Sequence, residues 1–105
     1  MNNEKMIEAS MQMILHAGNA RNDIRLAAQK IANHEFEGVD ELLKNADNEI
    51  VEAHRGHTSV LQSSARGEEA ELSVLFTHAQ DTLMSTESER FMIETLYNYA
   101  LNERK

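Results

Sequence analysis

Apolar residues recur in threes and fours along most of the chain, and their intervals predict three long helices. In the first, Ile7, Met11, Ile14, Ala17, Ile24, Ala28 and Ile31 form a stripe that predicts a helix from about Glu4 to Ala32. A second run, Val39, Leu43, Ala46, Ile50, Ala53, His57 and Val60, keeps strictly alternating steps of four and three, the repeat of a packed helical seam, and predicts a helix from about Phe36 to Ala65. A third helix, from about Glu69 to Asn102, places Leu72, Leu75, Phe76, Ala79, Leu83, Tyr97 and Leu101 on one face at about 100° per residue. The link Asn33-His34-Glu35 is short enough to return the second helix beside the first, with His34 a solvated turn residue. Arg66-Gly67 reads as a helix end, and Glu68, Glu69 and Glu71 suit the N-terminus that follows. Each helix has about thirty residues and is about 45 Å long, so the expected fold is all-α: an antiparallel up-down-up three-helix bundle, one domain over residues 1–105.

Some positions interrupt these stripes. Gly18 sits mid-helix, where glycine costs about 1 kcal/mol against alanine, and suggests the close approach of another helix. Arg21 falls in the stripe, either as an edge residue reaching to water or as an anchor for a carboxylate or phosphate. His57 occupies a seam position and with His54 makes a His-x-x-His pair, which suits a hydrogen-bonded core histidine better than a metal site without further ligands. The third helix also carries Val74, Met92 and Leu96 away from its core face, on the same side as His78, Asp81, Ser85 and Ser88. A helix that is apolar on two sides needs two partners, and self-association supplies the second.

Composition narrows the chemistry. The chain of 105 residues has no proline and four glycines, in keeping with helix throughout. It has no cysteine, which excludes disulfides, a thiol nucleophile and thiolate zinc sites. A net charge of -8 argues against nucleic acid as a partner. The N-terminal residues lack the basic start and apolar middle of a signal peptide, and no apolar run reaches membrane-spanning length, so the expected location is the cytoplasm.

The chemistry concentrates in Phe76-Thr77-His78-Ala79-Gln80-Asp81-Thr82-Leu83-Met84. An imidazole is neutral, nucleophilic and adjustable near neutral pH. With no serine triad, no cysteine and no glycine-rich nucleotide loop around it, His78 best fits a phosphoryl acceptor supplied by a protein or small-molecule donor. Gln80 and Thr82 are candidates for holding its ring or the phosphoryl oxygens. Asp81 points away from its own core. If copies of this helix line a symmetry axis, their carboxylates converge and repel unless bridged, and an oxygen-only site of that kind suits a hard cation such as magnesium.

At these residues the chain resembles the lactose/cellobiose family of enzyme IIA components of the bacterial phosphoenolpyruvate-dependent sugar phosphotransferase system. The family's signature His-Ala-Gln-Asp-His-Leu-Met is matched by His78-Ala79-Gln80-Asp81-Thr82-Leu83-Met84 in six of seven positions. Ala17-Gly18-Asn19-Ala20-Arg21 is similar to the family's Ala-Gly-Asp-Ala-Arg, and Ala53-His54-Arg55-Gly56-His57-Thr58 to Ala-His-x-x-Gln-Thr. The departures are Asn19 for aspartate, His57 for glutamine and Thr82 for histidine.

The resemblance implies a nine-helix homotrimer with His78 as the phosphorylated residue in a groove between subunits. It implies that Asp81 meets its symmetry mates around a structural magnesium ion. The phosphoryl group would come from phosphorylated HPr and pass to a cysteine of enzyme IIB, serving a lactose/cellobiose-type sugar that the membrane enzyme IIC imports and recognises. Two other classes compete. Phosphorelay histidine phosphotransfer domains usually carry lysine and glycine where this chain has Asp81 and Thr82, and a purely structural helical adaptor would transfer nothing.

Overall fold

The computed structural model describes residues 2–65 and 73–104. Three helices, α1 (Asn3–Ala32), α2 (Val39–Ala65) and α3 (Val74–Glu103), make the expected up-down-up bundle, 55 × 19 × 19 Å. The cap expected at Arg66-Gly67, the acids Glu68, Glu69 and Glu71, and Leu72 lie outside the described residues.

Local chemistry sets the helix ends. Asn2 caps α1 by accepting from the Lys5 amide at 2.8 Å. The helix closes in a Schellman arrangement: His34 takes the left-handed position (φ 57°) and its amide donates to the Ile31 carbonyl, while the Glu35 amide donates to that of Lys30. The link is longer than expected, because Gly38 at φ 86° turns the chain once more before α2 can begin at Val39. Phe36 therefore lies outside the helix and packs against the Tyr97 ring at 6.2 Å. Among the described residues α3 runs from Val74, where Ser73 is extended and its hydroxyl accepts from the Phe76 amide at 3.1 Å; the expected start at Glu69 lies outside the described residues.

The interior follows a strict heptad rhythm in two helices. In α2 the expected seam holds, with Val39, Leu43, Ala46, Ala53 and Val60 buried and Ile50 and His57 half-buried. In α1 the buried row is Met6, Ser10, Met13, Ala17, Ala20, Ile24, Ala27 and Ile31, so Ile7 and Met11 of the expected stripe lie on the surface. The row is rich in small residues, and Ser10 satisfies its hydroxyl by donating to the Met6 carbonyl at 2.8 Å. These small residues let α1 and α2 approach closely. At Gly56 the approach is tight, and an added Cβ would stand 3.0 Å from both the Ala9 carbonyl oxygen and Met13 Cγ. Gly18, expected to mark such a contact, has nothing within 4 Å of an added Cβ.

Two arginine forks fix the register of α3. Arg21 grips Glu89 at 2.9 and 2.7 Å, tying α3 to α1 from a partly exposed position at the edge of the stripe. Arg90 grips Asp47 of α2 at 2.8 and 3.1 Å and also reaches Glu94 at 2.8 Å. Burial works against the Arg90 charge, but the hydrogen bonds to Asp47 and Glu94 outweigh it and raise its pKa. Among the described residues, no helix is long and apolar enough to cross a membrane.

Candidate functional site

The first turns of α3 are locked by hydroxyls bonded to their own backbone. Thr77 donates to the Ser73 carbonyl at 2.9 Å, Thr82 to that of His78 at 2.8 Å, and Thr86 to that of Thr82 at 2.7 Å. Ala79 and Leu83 are buried and Phe76 half-buried, which places the helix face. His78 is exposed, and among the described residues no side chain hydrogen-bonds to its ring. An exposed imidazole without an internal partner keeps a ring nitrogen lone pair available to an incoming group.

The structure separates the side chains that the sequence places close together. Gln80 turns away from His78 towards α2, where its Nε2 lies 3.1 Å from His57 Nε2. Thr82 has spent its proton on the helix backbone and has none left to donate to a phosphoryl oxygen. Asp81 is exposed on the outer face, and no ion pair reaches it among the described residues. Beside it stand the foreseen apolar positions, Val74, Met92 and Leu96, of which Val74 is 87% exposed. Met84, Phe91 and Tyr99 extend this exposed apolar surface beyond what the stripe suggested.

His54 and His57 are turned to different partners. Their ring centroids are 6.2 Å apart, but His54 Nε2 lies 3.0 Å from Glu87 and His57 is turned to Gln80. Among the described residues, no three His, Cys, Asp or Glu side chains come together to hold a metal. The His57 ring also stacks on Phe76 at 6.0 Å and 23°. Sequence spacing missed Glu87 and Glu89, whose partners lie on other helices. Their only signal was their recurrence on the flanks of the core face.

A second polar cluster ties α1 to α2. His16 Nδ1 donates to Glu49 at 2.6 Å, and Asn19 reaches the same carboxylate at 3.4 Å. Partial burial, with the Glu49 charge adding to it, raises the Asp23 pKa.

Comparison with known proteins accounts for this arrangement. Residues 8–100 match the family model for the lactose/cellobiose-specific IIA subunit of the phosphotransferase system. The chain is 37% identical over 86 residues to a lactose-specific EIIA component of Streptococcus mutans, covering 82% of this chain and 83% of that protein. It is 36% identical to a lichenan-specific phosphotransferase enzyme IIA component of Bacillus subtilis, with 79% of this chain and 76% of that one covered. The crystal structure of a cellobiose-specific enzyme IIA from Bacillus anthracis superposes with a TM-score of 0.90 at 33% identity, over 99% of this chain and 94% of that one. With three matched helices and a family match that spans the His78 segment, the chain belongs to the lactose/cellobiose-specific IIA subunits of the phosphotransferase system, phosphocarriers in sugar uptake.

Proposed function

We propose that His78 is the residue that carries the phosphoryl group. The observation behind this reading is that His78 is exposed and unpartnered among the described residues, on a helix whose neighbouring hydroxyls are tied to the backbone. One ring nitrogen attacks the phosphorus of phosphorylated HPr. A new N–P bond forms as the donor's N–P bond breaks, and the electron pair returns to the donor ring. In the second step a cysteine thiolate of enzyme IIB attacks, an S–P bond forms, and the electrons of the N–P bond return to His78. Both steps depend on in-line approach to a neutral, accessible ring. The membrane enzyme IIC would then import the lactose/cellobiose-type sugar that enzyme IIB phosphorylates, and this chain would act in the cytoplasm as a single domain.

The same reading includes a homotrimer. Val74, Met92, Leu96 and Tyr99 give α3 an exposed apolar row that one bundle leaves uncovered, and packing around an axis would bury it. Asp81 lies along this row without an ion-pair partner among the described residues, so copies would bring carboxylate oxygens together. That donor set fits magnesium, which would be held by Asp81 and its symmetry mates and would supply charge compensation at the axis. The test of the carrier role is labelling with phosphoenolpyruvate, enzyme I and HPr, in which His78→Gln is expected to take up no phosphoryl group while assembling normally. For the axis, Asp81→Leu is expected to keep or strengthen the trimer in sedimentation and to abolish magnesium binding. A wild-type monomer at micromolar concentration would contradict it.

A further inference from the structure

Exposed apolar side chains on α3 fall in two rows. Val74, Met92, Leu96 and Tyr99 lie on the side of His78, whereas Met84 and Phe91 lie towards α2, on the side of Gln80 and Glu87. At about 100° per residue the rows are roughly a quarter-turn apart. Two unlike rows on one helix suit head-to-tail packing around an axis, in which the first row of one copy meets the second row of the next. Cyclic symmetry about an axis along the helices preserves height, and His78 and Gln80 differ by only about 3 Å along α3. They diverge within one chain, but across a contact of that kind they would face each other.

We infer that His57 is a positioning residue for phosphoryl transfer, acting through Gln80 on the His78 of the neighbouring copy. This rests on the trimeric carrier reading above. His57 is held against the Phe76 ring at 6.0 Å and beside His54 at 6.2 Å, and its Nε2 accepts from the Gln80 amide across 3.1 Å. Engaging the amide N–H in this way fixes which end of Gln80 points outward: the carbonyl oxygen, an acceptor only. An acceptor facing the neighbour's imidazole holds the N–H on one ring nitrogen and leaves the lone pair on the other, which is the state that attacks phosphorus. Without His57 the amide turns freely and presents its donor end as readily as its acceptor.

The experiment compares rates of phosphoryl uptake from phosphorylated HPr for the wild type, His57→Leu, His57→Gln, Gln80→Leu and the double variant, each with its assembly checked by sedimentation. His57→Leu is expected to slow uptake about tenfold, the scale of a lost orienting contact. His57→Gln, whose carbonyl can accept the same bond, stays near the wild-type rate. Gln80→Leu is slow, and adding His57→Leu to it slows it no further, since both remove one interaction. Uptake by His57→Leu at the wild-type rate would overturn the inference and leave the carrier reading standing, as would additive losses in the double variant. If His57→Leu fails to assemble, the other single variants decide: slow Gln80→Leu with near-normal His57→Gln supports the role, and any other pattern overturns it. Failure of the wild type to be labelled would bring down the carrier reading itself, and this inference with it.

Discussion

The two halves of the bundle are packed with different materials. Around the α1–α2 link, Ile24, Ile31, Val39, Leu43, Ile93 and Tyr97 form one broad apolar cluster, covered by Phe36 with Arg104 over its ring at 5.3 Å. Towards His78, the described residues form a smaller apolar cluster of Met13, Ala53, Ala79 and Leu83, with Met6, Ala17 and Val60 also buried, and the buried polar positions among them are the hydroxyls of Ser10, Ser63 and Thr86. There α2 meets α3 through His54–Glu87 and His57–Gln80 as well as through Leu83 and the Phe76 ring stacked on His57. Each fully buried Leu, Ile, Val or Met contributes about 1.5–3 kcal/mol, so among the described residues the cluster around the α1–α2 link contributes more than the smaller one. The second half trades apolar area for hydrogen bonds, whose geometry is specific but whose net contribution is about 1 kcal/mol each. The larger described apolar cluster and His78 thus lie towards opposite ends of the same helices.

Substitutions that separate the halves should rank accordingly. Leu43→Ala opens a cavity in the broad cluster and is expected to cost about 2–5 kcal/mol in chemical denaturation, without slowing phosphoryl uptake by the folded fraction. A cost below 1 kcal/mol would show that the stabilising half has been misplaced. In the thinner half, Gly56→Ala pushes a methyl to 3.0 Å from the Ala9 carbonyl oxygen and Met13 Cγ, and should destabilise by about 1–3 kcal/mol. Gly18→Ala enters open space and should instead stabilise the helix by about 0.5–1 kcal/mol. A loss at Gly18 would reveal another molecule packed against α1 at that point.

The smallest effect is expected at Asp23, next to Ile24 of the broad cluster. Burial and Glu49 raise its pKa in the fold, so folding favours the protonated form and its stabilising share is lost as pH rises through the folded pKa. Asp23→Asn should therefore gain stability near neutral pH and lose that gain as pH falls below about 4, where the unfolded carboxyl is also protonated. An equal gain at both pH values would exclude titration as the cause.

How far the sequence carried the interpretation differs between the same regions. The four-and-three repeat of α2 was legible outright, since Val39, Leu43, Ala46, Ala53 and Val60 are apolar as well as buried. In α1 the expected stripe started on Ile7, Met11 and Ile14, whereas the true row passes through Ser10, Ala17, Ala20 and Ala27, small side chains selected by close packing that carry a weak apolar signal. Gly18 and Gly56 look alike along the chain, and only the path of the facing helix tells them apart. In the site, the motif around His78 identified the family. Which way Gln80 turns, and how Thr82 uses its proton, depend on α2 and on the helix backbone, and spacing contains neither.

The central claim, that His78 carries the phosphoryl group, is tested most directly by labelling the wild type and His78→Gln with phosphoenolpyruvate, enzyme I and HPr and mapping the modified residue. The expected result is one phosphoryl group per chain on His78 and none on the variant, with both proteins in the same assembly. Equal labelling of His78→Gln would contradict it.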